Sequence, residues 1–433
     1  MPDPPLLMLA DDLTGALDCA AAFAARGHTT FVSTSGQIGA VNAQVIALNA
    51  GSRPQPPAQA THAIRAGLRA ARDSGASLRF VKIDSTLRGH PGLEIGVAAD
   101  AAAATLVIVT PAFPDNGRTV AQAQLLIDGV PLVRTEVGAD PLSHVASSDV
   151  AVVLRQHTDA PVVTMPLATI RSPALATTLA DLLPSNAGSR PTIVSCDAVT
   201  NADLDRLIAA GQAIAPPSGP VLFAGSAGLA AALARATAPN HREVPDRPPP
   251  APIRAGPIIL VSASQRTLAD RQVTALVEHH LVELHRVEIQ RDGRESAVGR
   301  AQRRLAATAL SAGRSIALRS TVPGDTAALA PAEMRVLADA IARQLAAHVA
   351  ALATEARIGG LVIIGGDTAF AVLSAVQASG IVLHDEPLPG VPLGTISGGV
   401  LSGLPIATKA GAFGDDQTLI RLFTHLRPGA TPS

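Results

Sequence analysis

The chain has 433 residues, of which 47% are hydrophobic and only 2% aromatic, with no Trp and no Tyr. This length predicts two domains, because one hydrophobic core rarely serves more than about 250–300 residues. The 34 basic and 35 acidic residues leave a net charge of −1, which together with the shortage of aromatic rings argues against a nucleic-acid-binding or membrane-surface protein.

The cysteines and the N-terminus indicate a cellular compartment. Cys19 and Cys196 lie far apart and form no metal-binding spacing, which favours reduced thiols. Residues 1–5 carry no basic region, and the apolar run that follows stops at residues 11–12 (DD), so no signal peptide is predicted. No uncharged apolar run of membrane-spanning length is present. We therefore expect a soluble cytoplasmic protein without a membrane partner.

The first predicted element is a buried strand over Leu6–Ala10, followed by residues 11–15 (DDLTG) and a helix over Ala16–Ala25. A strand, an acidic turn and a helix are typical of the first βα unit of a doubly wound fold. Asp11 and Asp12 can act as a general base, hold Mg²⁺ or accept hydrogen bonds from sugar hydroxyls. The alternative is that Asp12 or a neighbouring Thr only caps the helix.

The densest group of polar residues follows the predicted strand 78–81, at residues 82–92 (KIDSTLRGHPG). Two cations, one carboxylate and two hydroxyls fall within the first seven of these residues. Lys and Arg both suit an anionic ligand rich in oxygen, and such ligands lie beyond the carboxyl ends of strands in open α/β sheets. Arg53 lies in a similar place after the predicted strand 45–49. The alternative is a solvated loop with surface ion pairs.

A flap is predicted from residue 113 to residue 134. It follows the strand 106–109 and contains Asp128-Gly129, a strong hairpin signal, with Arg118 as a candidate anion contact. A hairpin without any ligand contact is the alternative. Further strands at 162–165, 192–195 and 221–224 alternate with helical segments and complete the first domain.

Residues 238–257 change character abruptly, being rich in proline and without periodicity, which predicts a semi-rigid linker. The expected fold is therefore α/β with two domains, 1–237 and 258–427, each a mainly parallel sheet flanked by helices and joined by this Pro-rich linker.

The second domain carries three turns that suit a nucleotide phosphate. They follow the predicted strands 258–261, 360–364 and 406–408, where Ser and Gly residues let backbone N–H groups approach an anion at a helix N-terminus. The residues concerned are Ser262, Ser264, Gly365, Gly366, Asp367, Thr368, Lys409, Gly411 and Gly414. Asp367 can hold Mg²⁺ or merely cap a helix. The chain has no Walker P-loop and no dinucleotide fingerprint.

Several of these motifs together resemble one family. Segments 10–15 (ADDLTG), 82–89 (KIDSTLRG), 111–119 with 128–131 (DGVP), 365–368 (GGDT) and 409–414 (KAGAFG) look like those of the four-carbon acid sugar kinases, in matching order over nearly the whole chain. Members phosphorylate tetronates, namely threonate, erythronate and 3-oxo relatives, with ATP. The resemblance implies an N-terminal acid-sugar domain and a C-terminal nucleotide domain.

The resemblance also implies roles. For the sugar acid it implies Asp11, Asp12, Arg53, Lys82, Ile83, Asp84 and Ser85, and for the nucleotide Ser264, Gly365–Thr368 and Gly411. To these we add Arg88 on the substrate side and Ser262, Lys409 and Gly414 on the ATP side, with Mg²⁺ on Asp367. Asp12, Lys82 and Asp84 are expected to be catalytic, with Asp12 as the base and Asp11 or Asp84 as rivals. The chain departs from the family pattern at Leu17, at Ala263 and around Gly411, and the Ala263 methyl group stands where glycine allows closer approach to a nucleotide.

Two other classes of function stay open from the residues alone. An aldolase would require Lys82 to form a Schiff base, and a dehydrogenase would require a dinucleotide site whose fingerprint is missing. A sugar-acid sensor would bind the acid without turnover. The expected partners are a sugar acid and ATP, with no nucleic acid, and a homodimer is an open alternative.

Overall fold

The structure is a computed structural model that describes residues 4–34, 36, 38, 41–139, 145–184, 190–214, 219–237, 255–264, 267–290, 295–322, 329–411 and 413–426. The chain divides into two compact units, Met1–Pro245 and Asp246–Ser433. Of the predicted linker, residues 238–254 lie outside the described residues, so its conformation stays a prediction.

The first unit alternates strands and helices along the chain. Its strands are β1 (Leu6–Ala10), β2 (Thr30–Ser33), β3 (Val45–Asn49), β4 (Ser77–Lys82), β5 (Leu106–Thr110), β6 (Arg118–Ala121), β7 (Gln124–Ile127), β8 (Val130–Pro131), β9 (Val162–Met165), β10 (Thr192–Cys196) and β11 (Val221–Gly225). Its helices are α1 (Leu13–Ala24), α2 (Pro57–Asp73), α3 (Pro91–Ala102), α4 (Val150–Leu154), α5 (Leu167–Ile170), α6 (Leu175–Ala180), α7 (Asn201–Ala213) and α8 (Ala227–Ala236).

The main sheet of this unit is entirely parallel, in the order β2-β3-β1-β4-β11-β5-β10-β9. Strands such as β5, with the sequence LVIVT, are buried along their whole length, as expected when helices cover both faces of a parallel sheet. The register aligns Ala10 of β1 with Asn49 of β3 and with Lys82 of β4. The segments that follow these three strands therefore leave the sheet at one edge.

Helix α1 begins earlier than the predicted helix 16–25, because Asp12 caps it. The Asp12 Oδ1 atom accepts a hydrogen bond from the Gly15 N–H at 2.8 Å. A Cβ atom added to Gly15 would lie 2.7 Å from Asp12 Oδ1 and from Lys82 Nζ, so a larger residue here would displace these two charged groups. The capping alternative for Asp12 is thus confirmed, and its other oxygen, Oδ2, takes no part in the cap.

Strands β6, β7 and β8 form a small antiparallel sheet. Asp128 and Gly129 make the β7–β8 turn with φ of +50° and +80°, which confirms the predicted hairpin. The β6–β7 turn uses Gln122 and Ala123, also at positive φ, and their N–H groups donate to the two Asp197 carboxylate oxygens at 2.9 Å each. The predicted flap is therefore tied at that turn to the loop after β10.

The second unit is also α/β. Its strands are β12 (Ile258–Ser262), β13 (Glu283–Glu288), β14 (Ile316–Thr321), β15 (Gly360–Ile364), β16 (Gly380–Leu388), β17 (Val391–Ser397) and β18 (Pro405–Lys409). Its helices are α9 (Thr267–Glu278), α10 (Ala297–Ser311), α11 (Pro331–Glu355), α12 (Gly366–Ala375) and α13 (Thr418–His425).

The strand order of this unit is β13-β14-β12-β15-β18-β17-β16. The first five strands are parallel to one another, whereas β17 pairs antiparallel with both β18 and β16. One hydrophobic core packs Leu260, Val362 and Ala407 of the central strands against α9 and α13. Within the described residues, α11 is the one helix with the length and hydropathy of a membrane span, and half of that apolar window is buried inside the protein.

The predicted fold class, α/β with mainly parallel sheets flanked by helices, is confirmed. Strands β13 and β16 are not among the predicted elements. The β13 sequence, ELHRVE, has only two fully buried side chains, and β16 carries three charged or imidazole side chains in a row, HDE. Strand β13 lies at the end of the strand order, where one side of the strand has no neighbour.

Candidate active site

The predicted sugar-acid residues meet at the carboxyl ends of three neighbouring strands. Asp11 and Asp12 follow β1, Arg53 follows β3, and Lys82 is the last residue of β4. Parallel strands in register bring these segments together although they are separated by up to 71 positions in the sequence, from 11 to 82. The loop after β4 adds Asp84 to the same group.

Arg53 holds the two carboxylates that follow β1. Its Nε and Nη2 atoms donate to Asp11 Oδ2 and Oδ1 at 2.6 and 2.9 Å, and its Nη1 atom donates to Asp12 Oδ2 at 2.6 Å. Burial alone would lower the pKa of Arg53, but Asp11, Asp12 and Asp84 raise it well above its usual value. The guanidinium fork therefore fixes both carboxylates in place.

Asp84 is held by the loop that follows it. Arg88 Nε and Nη2 donate to its two oxygens at 2.8 Å each, and the Thr86 N–H and hydroxyl donate to Oδ2. Between them, buried Leu87 adopts φ +61°, a strained conformation for a branched side chain. Burial would raise the pKa of Asp84, but Arg88 and Arg53 hold it well below its usual range. Asp84 is therefore a weak proton acceptor.

Lys82 is a buried cation, only 5% exposed. Burial would lower the pKa of its ammonium group, but Asp11, Cys19 and Asp12 raise it above the usual value. Lys82 is thus protonated at neutral pH, which suits the binding of an anion and opposes the neutral amine that a Schiff base requires.

The other two predicted sugar-acid residues belong to the same loop. Ile83 is fully buried, and its N–H donates to the Gly225 carbonyl at 3.0 Å. Its side chain serves the core, so a role in substrate binding can rest only on its carbonyl group. Ser85 is half-buried beside it.

The sequence reasoning missed Glu94 and Ser52. Glu94 lies in the first turn of α3 and is 2% exposed, and its Oε1 atom accepts a hydrogen bond from the Ser52 hydroxyl at 3.0 Å. Burial and the nearby Asp11 charge raise the pKa of Glu94 to about 8. The one sequence signal for Glu94 was its place three positions after Pro91, the residue that begins the helix.

Arg118 of β6 lies next to this group. Its Nη1 atom donates to the Asn116 carbonyl at 3.2 Å, whereas its Nε atom is buried with no hydrogen-bond partner among the described residues. Burial lowers the pKa of Arg118, and the negative charge of Asp84 is the largest effect that opposes this shift. A buried donor without a partner is uncommon in folded proteins, so this atom marks a place where an anionic ligand fits.

In the second unit, β12, β15 and β18 end side by side. Ser262 is paired in register with Ile364, and Ile364 with Lys409. The Ser262 hydroxyl is buried and has no hydrogen-bond partner among the described residues. Gly365 has φ +103°, a conformation that favours glycine, and α12 begins at the next residue. This turn presents backbone N–H groups at a helix N-terminus, as phosphate sites do.

The remaining predicted nucleotide residues surround this edge. Gly366, Asp367 and Thr368 form the first turn of α12, whereas the Ser264 carbonyl accepts a hydrogen bond from Arg319 Nη2 at 3.0 Å. Lys409, Gly411 and Gly414 belong to the end of β18 and the loop after it.

Lys409 stabilises the loop that follows it after β18. Its Nζ atom donates to the Ala410 and Phe413 carbonyls at 2.7 and 2.8 Å, and burial lowers its pKa to about 8. Gly414 has φ +81°, and any side chain there would collide with Thr418. These contacts shape the loop around Gly411, and a direct contact of Lys409 with phosphate stays a prediction.

A preformed metal cage is not found in the part of the chain that the structure describes, since no group of three or more His, Cys, Asp or Glu side chains could hold an ion. Mg²⁺ in phosphotransferases takes most of its ligands from phosphate and water and only one or two from protein carboxylates. Asp367, exposed in the first turn of α12, therefore fits the expected donor set.

Comparisons with known proteins agree with this division of the chain. A family described as "Sugar-binding N-terminal domain" matches residues 6–233, and one described as "Nucleotide-binding C-terminal domain" matches residues 259–419. The chain is 35% identical to a D-threonate kinase of Bordetella bronchiseptica, over 99% of this chain and 98% of that protein. It is 30% identical to a D-erythronate kinase of Heliobacterium modesticaldum, over 97% of each. A solved Haemophilus influenzae protein shares the fold with a TM-score of 0.68 at 20% identity, covering 96% of this chain and 98% of that one.

Proposed function

The chain belongs to the four-carbon acid sugar kinase family, and from that premise we propose that it phosphorylates the terminal hydroxyl of a four-carbon sugar acid with ATP. The observation that supports this best is the group of paired cations and carboxylates at the carboxyl ends of β1, β3 and β4. The product would be the 4-phosphate, formed in the catabolism of sugar acids. The substrate would bind the first unit and the nucleotide the second.

The acid carboxylate would bind to cations whose hydrogen bonds are not already used. All three guanidinium nitrogens of Arg53 donate hydrogen bonds to Asp11 and Asp12, so we infer that Arg53 mainly positions those carboxylates. Lys82 and Arg118 are the better candidates for the substrate carboxylate, because one is a buried ammonium group and the other has an unpartnered donor. The hydroxyls of the acid would then donate to the carboxylates that Arg53 orients.

Asp12 is the carboxylate best placed to accept the proton of the attacking hydroxyl. Its side chain is 20% exposed, whereas those of Asp11 and Asp84 are 0% and 7% exposed. Asp84 is also a weak base, since two arginines hold its pKa low. We therefore assign the base to Asp12 and a structural role to Asp84, which orients Arg88 and Arg53.

The nucleotide phosphates would bind at the turn between β15 and α12. The orphaned Ser262 hydroxyl and the N–H groups at the start of α12 offer hydrogen bonds to phosphate oxygens, with Gly411 on the neighbouring loop. Mg²⁺ held near Asp367 would neutralise charge on the transferred phosphoryl group. Such transfer depends mainly on positioning and charge neutralisation, which is what these two sites supply.

The test is ADP release with ATP and Mg²⁺ against D- and L-threonate, D- and L-erythronate and 3-oxo-tetronates. We expect one strongly preferred acid, with D-threonate first because the D-threonate kinase relative is 35% identical and the D-erythronate kinase relative 30%. Asp12→Asn should lower kcat by about 100-fold or more with little change in KM for the acid. Asp73→Asn, at the exposed end of α2, is the control. Near-normal kcat in Asp12→Asn would refute the base, and no turnover of any acid would refute the proposed reaction.

A further inference from the structure

The buried carboxyl group of Glu94 has no part in the reaction described above. Its hydrogen-bond partners are neutral, namely the Ser52 hydroxyl, which is itself fully buried, and the backbone of His90. Ser52 precedes Arg53, whose backbone N–H donates to the Asp11 carbonyl at 3.2 Å. Glu94 therefore holds the short loop from which Arg53 reaches the two carboxylates of the site.

Glu94 and Asp11 form a pair of buried carboxyl groups that repel each other when both are ionised, and burial is the largest cause that raises each pKa. Asp11 accepts two charge-assisted hydrogen bonds from Arg53, whereas Glu94 accepts from a neutral hydroxyl. A carboxylate is stabilised most by the charged guanidinium group, which bonds Asp11 and not Glu94. The proton that the pair retains is therefore assigned to Glu94.

The position of this proton sets the net charge of the site. A protonated Glu94 adds no charge to the ion pairs of the site, which join Arg53 and Arg88 to Asp11, Asp12 and Asp84. An ionised Glu94 would add one negative charge beside Asp11. A tetronate brings one negative charge as well, so the protonated form of Glu94 is the one that favours its binding.

We propose that Glu94 is a positioning residue that must be uncharged for the sugar acid to bind, because it fixes the Ser52–Arg53 loop and because its ionised form would add a negative charge to a site that binds an anion. This inference rests on the proposed function, since it concerns the same acid. It makes substrate binding sensitive to pH on the alkaline side, through a residue that does not touch the substrate.

Few other titratable groups face Glu94. Asp11, which follows β1, and Arg53 act on it directly, and Lys82 of β4 acts on Asp11. His90, at the start of α3, is turned to the Gln55 carbonyl at 2.8 Å. The neighbouring helix α4 has no charged residue, and the charged side chains of α2 are exposed. The alkaline change in acid binding should therefore follow Glu94, whereas Lys409, whose pKa is also about 8, belongs to the nucleotide site of the second unit.

The test is the pH dependence of KM and kcat for the preferred acid between pH 6.5 and 9.5. In the wild type, KM should rise toward tenfold per pH unit once the pH exceeds about 8, with little change in kcat. Glu94→Gln keeps an oxygen that accepts from Ser52 and is always neutral, so its KM should stay near the wild-type neutral value and be flat with pH. Glu94→Ala loses the anchor and should raise KM at every pH. Asp100→Asn, an exposed carboxylate on the same helix, should keep the wild-type profile.

Calorimetric titration of the acid without ATP, over the same pH range, separates this inference from the proposed reaction. Turnover with an unchanged alkaline rise in Glu94→Gln would overturn the role of Glu94 and leave the kinase intact. Acid binding that weakens above pH 8 in the wild type but not in Glu94→Gln would support it even without turnover. Absence of any acid binding would overturn both.

Discussion

Removing Arg53 should destabilise the first unit more than removing Arg53 and Asp11 together. Arg53 makes three short hydrogen bonds to two carboxylates, and the Asp11 side chain has no exposure to water. Arg53→Met leaves that charge buried beside Lys82 alone, which should cost about 3–5 kcal/mol. Adding Asp11→Asn removes the uncompensated charge and should restore about 2 kcal/mol, so the double variant is the more stable one.

Urea unfolding followed by far-UV circular dichroism measures this difference, because the chain has no Trp or Tyr for fluorescence. Two units can unfold in separate steps, so the transition to compare is the one that Arg53→Met shifts. Arg171→Met is the matched control, since Arg171 bonds Asp203 at 2.8 Å but its side chain is 47% exposed, and it should lower the stability much less than Arg53→Met does. A double variant less stable than Arg53→Met would refute the reasoning.

Three further predictions follow from single residues. Burial raises the pKa of Glu94 from 4.5 to about 8. The protonated carboxyl group therefore contributes its full share to the stability of the folded state below pH 4.5, and this contribution is lost as the pH rises to 8. Over this range the free energy of unfolding of the wild type should fall by at most about 5 kcal/mol relative to that of Glu94→Gln. Gly365→Ala should cost about 1–2 kcal/mol and weaken ATP binding in a calorimetric titration, whereas Gly313→Ala, also at positive φ, should lose stability alone. Arg118→Met should raise KM for the acid about tenfold or more, and Arg134→Met, exposed beside the same hairpin, should leave steady-state KM unchanged.

The sequence was sufficient to predict the elements that carry the site. Apolar runs such as Leu6–Ala10 have the length of a strand and end at polar turns. The structure has strands at these runs, because a strand buried on both faces consists of consecutive apolar residues. Parallel register places the segments after β1, β3 and β4 together, in agreement with the grouping of Asp11, Arg53 and Lys82 that the family resemblance implies. Their roles in binding and catalysis stay predictions.

The contacts between those residues could not be predicted. Nothing in the sequence indicates that Arg53 would use its whole guanidinium fork on two neighbouring carboxylates, or that Glu94 would lie under Ser52, since both depend on tertiary packing over about 40 positions. The β6–β7 turn gave no signal either. Gln122 and Ala123 adopt positive φ without glycine because Asp197, 74–75 positions away, accepts both of their N–H groups.

The internal pairing of the site has a consequence for selectivity. Among its cations, Arg53 and Arg88 are already held by carboxylates, so a simple anion gains little from them. On the proposed function, a ligand would bind well only if its carboxylate reached Lys82 or Arg118 while its hydroxyls donated to the oriented carboxylates. A four-carbon acid with hydroxyls beside its carboxylate would meet both demands, whereas acetate would meet only the first. The site would therefore select for hydroxylated acids because most of its charges are already paired.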